Sequence, residues 1–245
     1  MLNSLFRRRA AALVAGVALV WSAGAQAAIS LSGTRLIFDA KHKEAALAVR
    51  NGNANILVQA WIESNTPGDK GDLPLAVTPP LAKMRPDGQQ LLRVLYAGGN
   101  NTLPQDKESV FWLNVQEVPE ASQSAGSLQV AVLQRIKIFF RPAGLKGNAA
   151  DSPAALQWRI APAAGKSTIH VSNPTPFHVS MTNITIGSGK STPSTMIAPG
   201  ETIRLPVEGA SSNVTFSNIN DFGGADRYEV QLSATNTVTA KAVVK

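Results

Sequence analysis

The chain has 245 residues, a formal charge of +7 and no cysteine, which excludes disulfides, thiolate metal sites and a thiol nucleophile. Only three histidines are present (His42, His170 and His178), none in an H-x-x-x-H pair, so no metal centre is expected. The basic excess is spread along the chain rather than gathered in one stripe, and no nucleic-acid partner is expected.

At the start of the chain Arg7, Arg8 and Arg9 precede an apolar run from Ala10 to Trp21. Ala25-Gln26-Ala27 then supplies the small–x–small pattern of a signal-peptidase site. The apolar run falls short of the ~20 residues needed to cross a bilayer. Residues 1–27 are therefore expected to be an export signal cleaved near Ala27, and the rest to be soluble.

From residue 29 the hydrophobic segments are short, rich in Val, Ile, Leu and Thr, and bounded by Gly, Pro or Asn. This is the pattern of antiparallel β structure. Strands are predicted over Ile29–Phe38, Ala45–Arg50, Ile56–Glu63, Leu91–Leu95, Val110–Val118 and Leu128–Phe140. Turn signals fall between them at Asn51-Gly52-Asn53, Thr66-Pro67-Gly68-Asp69 and Pro86-Asp87-Gly88. Arg141 to Asn148, with one proline and two glycines, reads as a linker. Beyond Pro153 strands are predicted at Leu156–Ile160, Thr168–Val171, His178–Ile184, Thr202–Val207, Val214–Ile219, Tyr228–Ala234 and Thr237–Val244. The fold class is all-β: a first domain over 28–146 and a second over 147–245, with one large sandwich as the alternative.

Gly187-Ser188-Gly189-Lys190-Ser191-Thr192 resembles the end of a phosphate-binding loop. The full pattern needs glycine where Ile184 stands, and Thr192-Pro193 interrupts the helix that should follow. A polar hairpin loop is predicted instead. No serine sits in a G-x-S-x-G elbow, so no catalytic residue is assigned and no small-molecule substrate or cofactor is expected.

Side chains two apart on a strand share a face, so Leu128, Val130 and Val132 form one apolar ridge. Alternation leaves open whether that ridge lines its own core or fills a groove in another protein.

The stretch Leu128 to Pro142 resembles the last strand of the first domain in periplasmic chaperones of the chaperone–usher pathway, the PapD-like family. Further matches follow in family order. Thr34-Arg35 with Phe38-Asp39 is similar to the opening strand, Ala60-Trp61-Ile62-Glu63 to the tryptophan-bearing strand, and Thr78-Pro79-Pro80 to the turn after it. Leu103 to Ser109 is similar to a family loop, with Lys107 where arginine is common. Asn173-Pro174-Thr175-Pro176-Phe177 and Ile219-Asn220-Asp221-Phe222-Gly223-Gly224 resemble second-domain motifs, with phenylalanine for the usual tyrosine. The C-terminal hairpin lacks the disulfide that some members carry, and the short polar loop from Pro119 to Ser127 is similar to the short-loop branch.

The resemblance implies two immunoglobulin-like sandwiches set at an angle around a cleft, in a periplasmic, non-enzymatic protein. It implies that pilus subunits are bound by donation of the Leu128, Val130 and Val132 strand, then delivered to an outer-membrane usher. Arg35 and Lys137 align with the cleft pair that grips the subunit's terminal carboxylate. Glu108, Arg141 and Asp221 align with charged residues that join the domains. Simple alternation puts Lys137 on the face opposite Val132, so a bulge or strong twist between them is expected. An exposed donor strand would also allow the free protein to cap itself as a homodimer. The competing expectation is a secreted β-sandwich module for carbohydrate or protein ligands, though Trp61, Trp112 and Trp158 fall in predicted strands rather than loops.

Overall fold

The computed structural model describes residues 29–243 except 53, 67, 69–70, 99–102, 121–129, 164–165, 190, 207–211 and 234. The expected export signal and Leu128 lie outside the described residues.

The first sandwich is built from β1 (Ile29–Leu31), β2 (Arg35–Asp39), β3 (Glu44–Asn51), β4 (Ile56–Ser64), β5 (Leu75–Thr78), β6 (Leu81–Met84), β7 (Gln89–Tyr96), β8 (Ser109–Pro119) and β9 (Val132–Arg141). These form two facing sheets, ordered β1-β3-β7-β5 and β2-β9-β8-β4-β6. Alternation dictates what each strand buries. On β4 it is Ile56, Val58 and Ala60, on β8 Phe111, Leu113 and Val115, and on β9 Ile136, Ile138 and Phe140. They meet Phe38, Val49, Leu92 and Val94 from the other strands. Each such side chain is worth roughly 1.5–3 kcal/mol on burial, so a core of this size needs no disulfide.

The expected strands of this domain require correction at two places. The single strand expected over Ile29–Phe38 is broken: β1 pairs with β3 in one sheet, while β2 pairs in parallel with β9 in the other. The chain crosses between sheets at Ser32–Thr34, where a Cβ on Gly33 would stand 3.1 Å from the Arg35 carbonyl oxygen. The strands β5 and β6, not predicted, flank Thr78-Pro79-Pro80, which has a cis Thr78–Pro79 peptide and carries the chain between sheets.

Short helical structure follows directly on the expected linker, whose residues 142–148 form turns and bends. A 3₁₀ turn at Ala149–Asp151 leads into the helical turn α1 (Ser152–Ala155). The Asn148 side chain accepts a hydrogen bond from the Ala150 N–H, and Pro153 sits in the first turn, where its missing N–H costs nothing.

The second sandwich comprises β10 (Gln157–Ala163), β11 (Lys166–Ser172), β12 (Val179–Ile186), β13 (Thr195–Ile197), β14 (Thr202–Pro206), β15 (Asn213–Ile219), β16 (Ala225–Gln231), β17 (Val238–Thr239) and β18 (Lys241–Ala242). Its sheets are ordered β14-β11-β10-β17 and β13-β12-β15-β16-β18. The strand expected over Thr237–Val244 also switches sheets, β17 pairing with β10 and β18 with β16. Trp158 centres this core, 5.4 Å from the Phe216 ring, which in turn stacks on Tyr228. The false phosphate loop turns back on β12: Thr192 N donates to the Ile184 carbonyl, and no helix follows.

Candidate functional site

Strand β9 carries two different surfaces. Its even-numbered residues Ile136, Ile138 and Phe140 enter the home core, and Val132, at the start of the strand, continues that line outward, with Val130 two residues before it. There the burial ends, with Val130 64% and Val132 42% exposed. One flank is open as well. The parallel pairing with β2 begins at Arg35 opposite Lys137, so β9 residues before Lys137 have β8 but no β2 beside them. Gln134 spans part of that gap, its Nε2 donating to the Ile29 carbonyl at 2.9 Å. An apolar ridge thus leaves the core beside an unpaired strand edge.

The odd-numbered face of β9 looks the other way, toward the second domain. The β8–β9 register runs unbroken from Glu117 opposite Val132 to Ser109 opposite Phe140. The bulge expected between Val132 and Lys137 is therefore absent. The ridge and the cationic site use opposite faces of one regular strand, and no distortion is needed to separate them.

Arg35 and Lys137 are direct cross-strand partners. Arg35 Nη1 donates to the Ile219 carbonyl of β15 at 2.7 Å, which ties the first domain to the second. Its Nε is buried and makes no hydrogen bond. Burial lowers the Arg35 guanidinium, against the pull of Asp221 and Glu108 and with the push of Arg141. Burial also lowers the Lys137 ammonium, and Arg35 lowers it further. An incoming carboxylate would relieve both effects through charge-assisted hydrogen bonds. The pair borders a pocket completed by Met181, Thr182, Met196 and Ile219 of the second domain.

Beside this pocket, Glu108, Arg141 and Asp221 are linked. Arg141 Nε donates to Glu108 Oε1 at 2.7 Å, and its two Nη groups grip Asp221 at 2.6 and 2.8 Å. The Glu108 side chain is wholly enclosed; its other oxygen takes the His178 N–H at 2.8 Å and faces the His178 ring nitrogen. Burial alone would lower Arg141, but the hydrogen bonds and charges of Asp221 and Glu108 outweigh it and raise the guanidinium. Glu108 and Arg141 come from the first domain, Asp221 and His178 from the second.

A backbone contact reinforces this link. Gly223 has φ +83°, and a Cβ there would come within 2.6 Å of Thr34 Oγ1 across the interface. Gly223→Ala is expected to lower stability by at least about 1 kcal/mol and to splay the domains. Thermal unfolding and small-angle scattering would check it; an unchanged melting temperature would show that the turn gives way freely.

Several neighbours escaped sequence reasoning. His178 follows the Asn173–Phe177 motif directly, and that adjacency was its only signal. Trp112 is opposite in parity to Phe111, Leu113 and Val115, which places it on the cleft-side face of β8. There its ring meets Lys137 at 4.8 Å and Arg135 at 4.4 Å.

Comparison with known proteins covers nearly the whole chain. Residues 28–146 match the family described as "Pili and flagellar-assembly chaperone, PapD N-terminal domain", and residues 151–230 match "Pili assembly chaperone PapD, C-terminal domain". The chain is 37% identical to the chaperone protein FimB/FhaD of Bordetella pertussis, over 93% of this chain and 98% of that one. It is also 37% identical to the chaperone protein FimC of Escherichia coli K12, over 86% and 88%. Among solved structures, the YadV chaperone superposes with a TM-score of 0.68 at 36% identity, covering 84% of this chain and 100% of that one. A Salmonella enterica SafA pilin–SafB chaperone complex includes a chain that matches at a TM-score of 0.71 and 26% identity, covering 90% and 99%.

Proposed function

Since the chain belongs to the PapD family of pilus-assembly chaperones, we propose that its β9 ridge caps pilus subunits in the periplasm by donor-strand complementation. It is a chaperone and not an enzyme, and the ligand-binding alternative finds no support among its relatives. Divided at 28–146 and 147–245, the two domains flank the cleft in which a subunit docks before delivery to an outer-membrane usher. The ridge carries this reading: an apolar strand face with an open edge that its own core does not cover.

A subunit lacking its last strand has an apolar groove and unpaired backbone groups along one edge. The segment that leads from Leu128 into β9 supplies main-chain hydrogen bonds to that edge, while Leu128, Val130 and Val132 seat in the groove. Burying three such side chains contributes about 5–9 kcal/mol before the cost of association. That holds a subunit yet leaves room for a better-fitting strand to displace it. Arg35 and Lys137 fix the register by gripping the subunit's terminal carboxylate, since a slip of two residues would preserve the apolar face. Two free chains, each with a bare ridge, can cap one another as a homodimer.

The test is a Val130→Asp/Val132→Asp chaperone co-expressed with a pilin subunit. Val130 and Val132 lie at the exposed end of the ridge, so folding should be unchanged while subunit recovery from the periplasm falls to background. Normal recovery would overturn the proposal.

A further inference from the structure

Two like charges held side by side and partly out of water need something to steady them. Glu108 and Asp221, the acids nearest Arg35, are both engaged by Arg141. Among the described residues neither Arg35 nor Lys137 forms a salt bridge. Each stands instead over an aromatic face: the Arg35 guanidinium lies 5.4 Å from the centre of the Phe139 ring, and Lys137 Nζ 4.8 Å from that of Trp112.

The Trp112 ring is itself held firmly. It is the register partner of Lys137 across β8 and β9 and of Glu63 across β8 and β4. Its Nε1 donates to Asn65 Oδ1 at 3.1 Å. Arg135, which shares the ring, has its charge balanced by Glu63 at 2.8 Å, and Glu63 also accepts from Trp61 Nε1. The Trp61 hydrogen bond, more than the nearby Arg135, holds the Glu63 carboxyl below its ordinary value. Lys137 has no such acid.

We infer that Trp112 is a positioning residue for subunit anchoring: its ring face holds the Lys137 ammonium charged and turned to the cleft, where a carboxylate counter-ion would otherwise stand. This rests on the reading of Arg35 and Lys137 as the carboxylate anchor. The physical reason is one of competition. A built-in Asp or Glu would occupy the N–H donors that the client's carboxylate needs. A ring attracts the cation through its quadrupole and leaves all three ammonium donors free.

Removing the ring should destabilise the charged form of Lys137. Once the peptide's carboxyl is ionised, capture holds until pH rises through the ammonium pKa and is then lost, so that alkaline limb should move to lower pH. Two probes read this: a short alternating Val–Thr peptide with a free C-terminal carboxylate, and the same peptide as its C-terminal amide. In parallel, heteronuclear NMR follows the Lys137 ammonium without any ligand.

In Trp112→Leu the preference for acid over amide should fall about fivefold, and the Lys137 titration should shift downward. Trp112→Tyr, which keeps an aromatic face, should restore most of both. Equal weakening of acid and amide, or an unmoved titration, would overturn the inference and leave Trp112 a packing residue. The underlying reading is tested separately by Lys137→Ala, which should cut the preference roughly ten- to hundredfold. If it does so while Trp112→Leu changes nothing, only the positioning role falls; if Lys137→Ala leaves the preference undiminished, the anchor itself is wrong.

Discussion

A Lys137→Ala chaperone should fold as the parent does and yet recover almost no pilus subunit from the periplasm. Its folded-state charge is costly, because burial and then Arg35 both lower the ammonium. A group with a lowered folded pKa opposes folding wherever it is protonated, so at neutral pH its removal should not reduce the melting temperature. Binding should respond in the opposite direction. A hydrogen bond to a charged group contributes about 1.5–3 kcal/mol, which corresponds to roughly a ten- to hundredfold loss of affinity. Register is lost with it, since the ridge alone cannot distinguish positions two residues apart. Co-expression with a pilin, followed by pull-down of the periplasmic complex, measures this. Unchanged subunit yield would remove Lys137 from the mechanism.

The second large effect concerns stability rather than capture. Glu108→Ala is expected to cost about 3–5 kcal/mol, since it removes one partner of an enclosed ion pair and leaves Arg141 Nε and the His178 N–H without their acceptor. The Glu108 side chain has no exposure and accepts from Arg141 Nε and the His178 N–H, so water cannot take its place. Asp221→Ala should cost clearly less, because the Asp221 side chain is 35% exposed and solvent can replace it at the guanidinium. Denaturant unfolding of both variants measures the difference, and small-angle scattering should show a wider spread of domain orientations in Glu108→Ala. Equal costs for the two would mean that the enclosure of Glu108 does not govern the interface.

Much of the fold was legible because period-two alternation is a local signal. On β4 the pattern of residue types separates the buried face from the exposed one, whereas on β8 and β9 buried Asn114, Glu117 and Phe139 depart from it. Sheet switching was not legible. Ile29–Phe38 reads as one apolar run, and only the partners β3 and β9, distant in sequence, divide it. The helical turns over Ala149–Asp151 and Ser152–Ala155 are too short to show a helical period.

For the site, the ridge is visible in the alternation of Leu128, Val130 and Val132, but its exposure is not. That depends on where β2 starts. Pairing of Arg35 with Lys137 is a parallel contact between strands far apart in the chain, and only family resemblance drew the two together. The expected bulge rested on the assumption that ridge and cleft share a face, when the strand presents one on each side. Trp112 could be assigned a face from its parity, yet what lies across that face is set by register, which residue types do not encode.

The enclosed contact of Glu108 with Arg141 has a consequence for the medium in which the protein works. Attraction between exposed partners such as Lys83 and Glu120 thins as ions crowd in, over a Debye length of about 8 Å at physiological strength. Glu108 is shut away from those ions, and Arg141 nearly so. The opening between the two halves should therefore hold steady from dilute to briny surroundings, even as the charges on the outer faces fall silent.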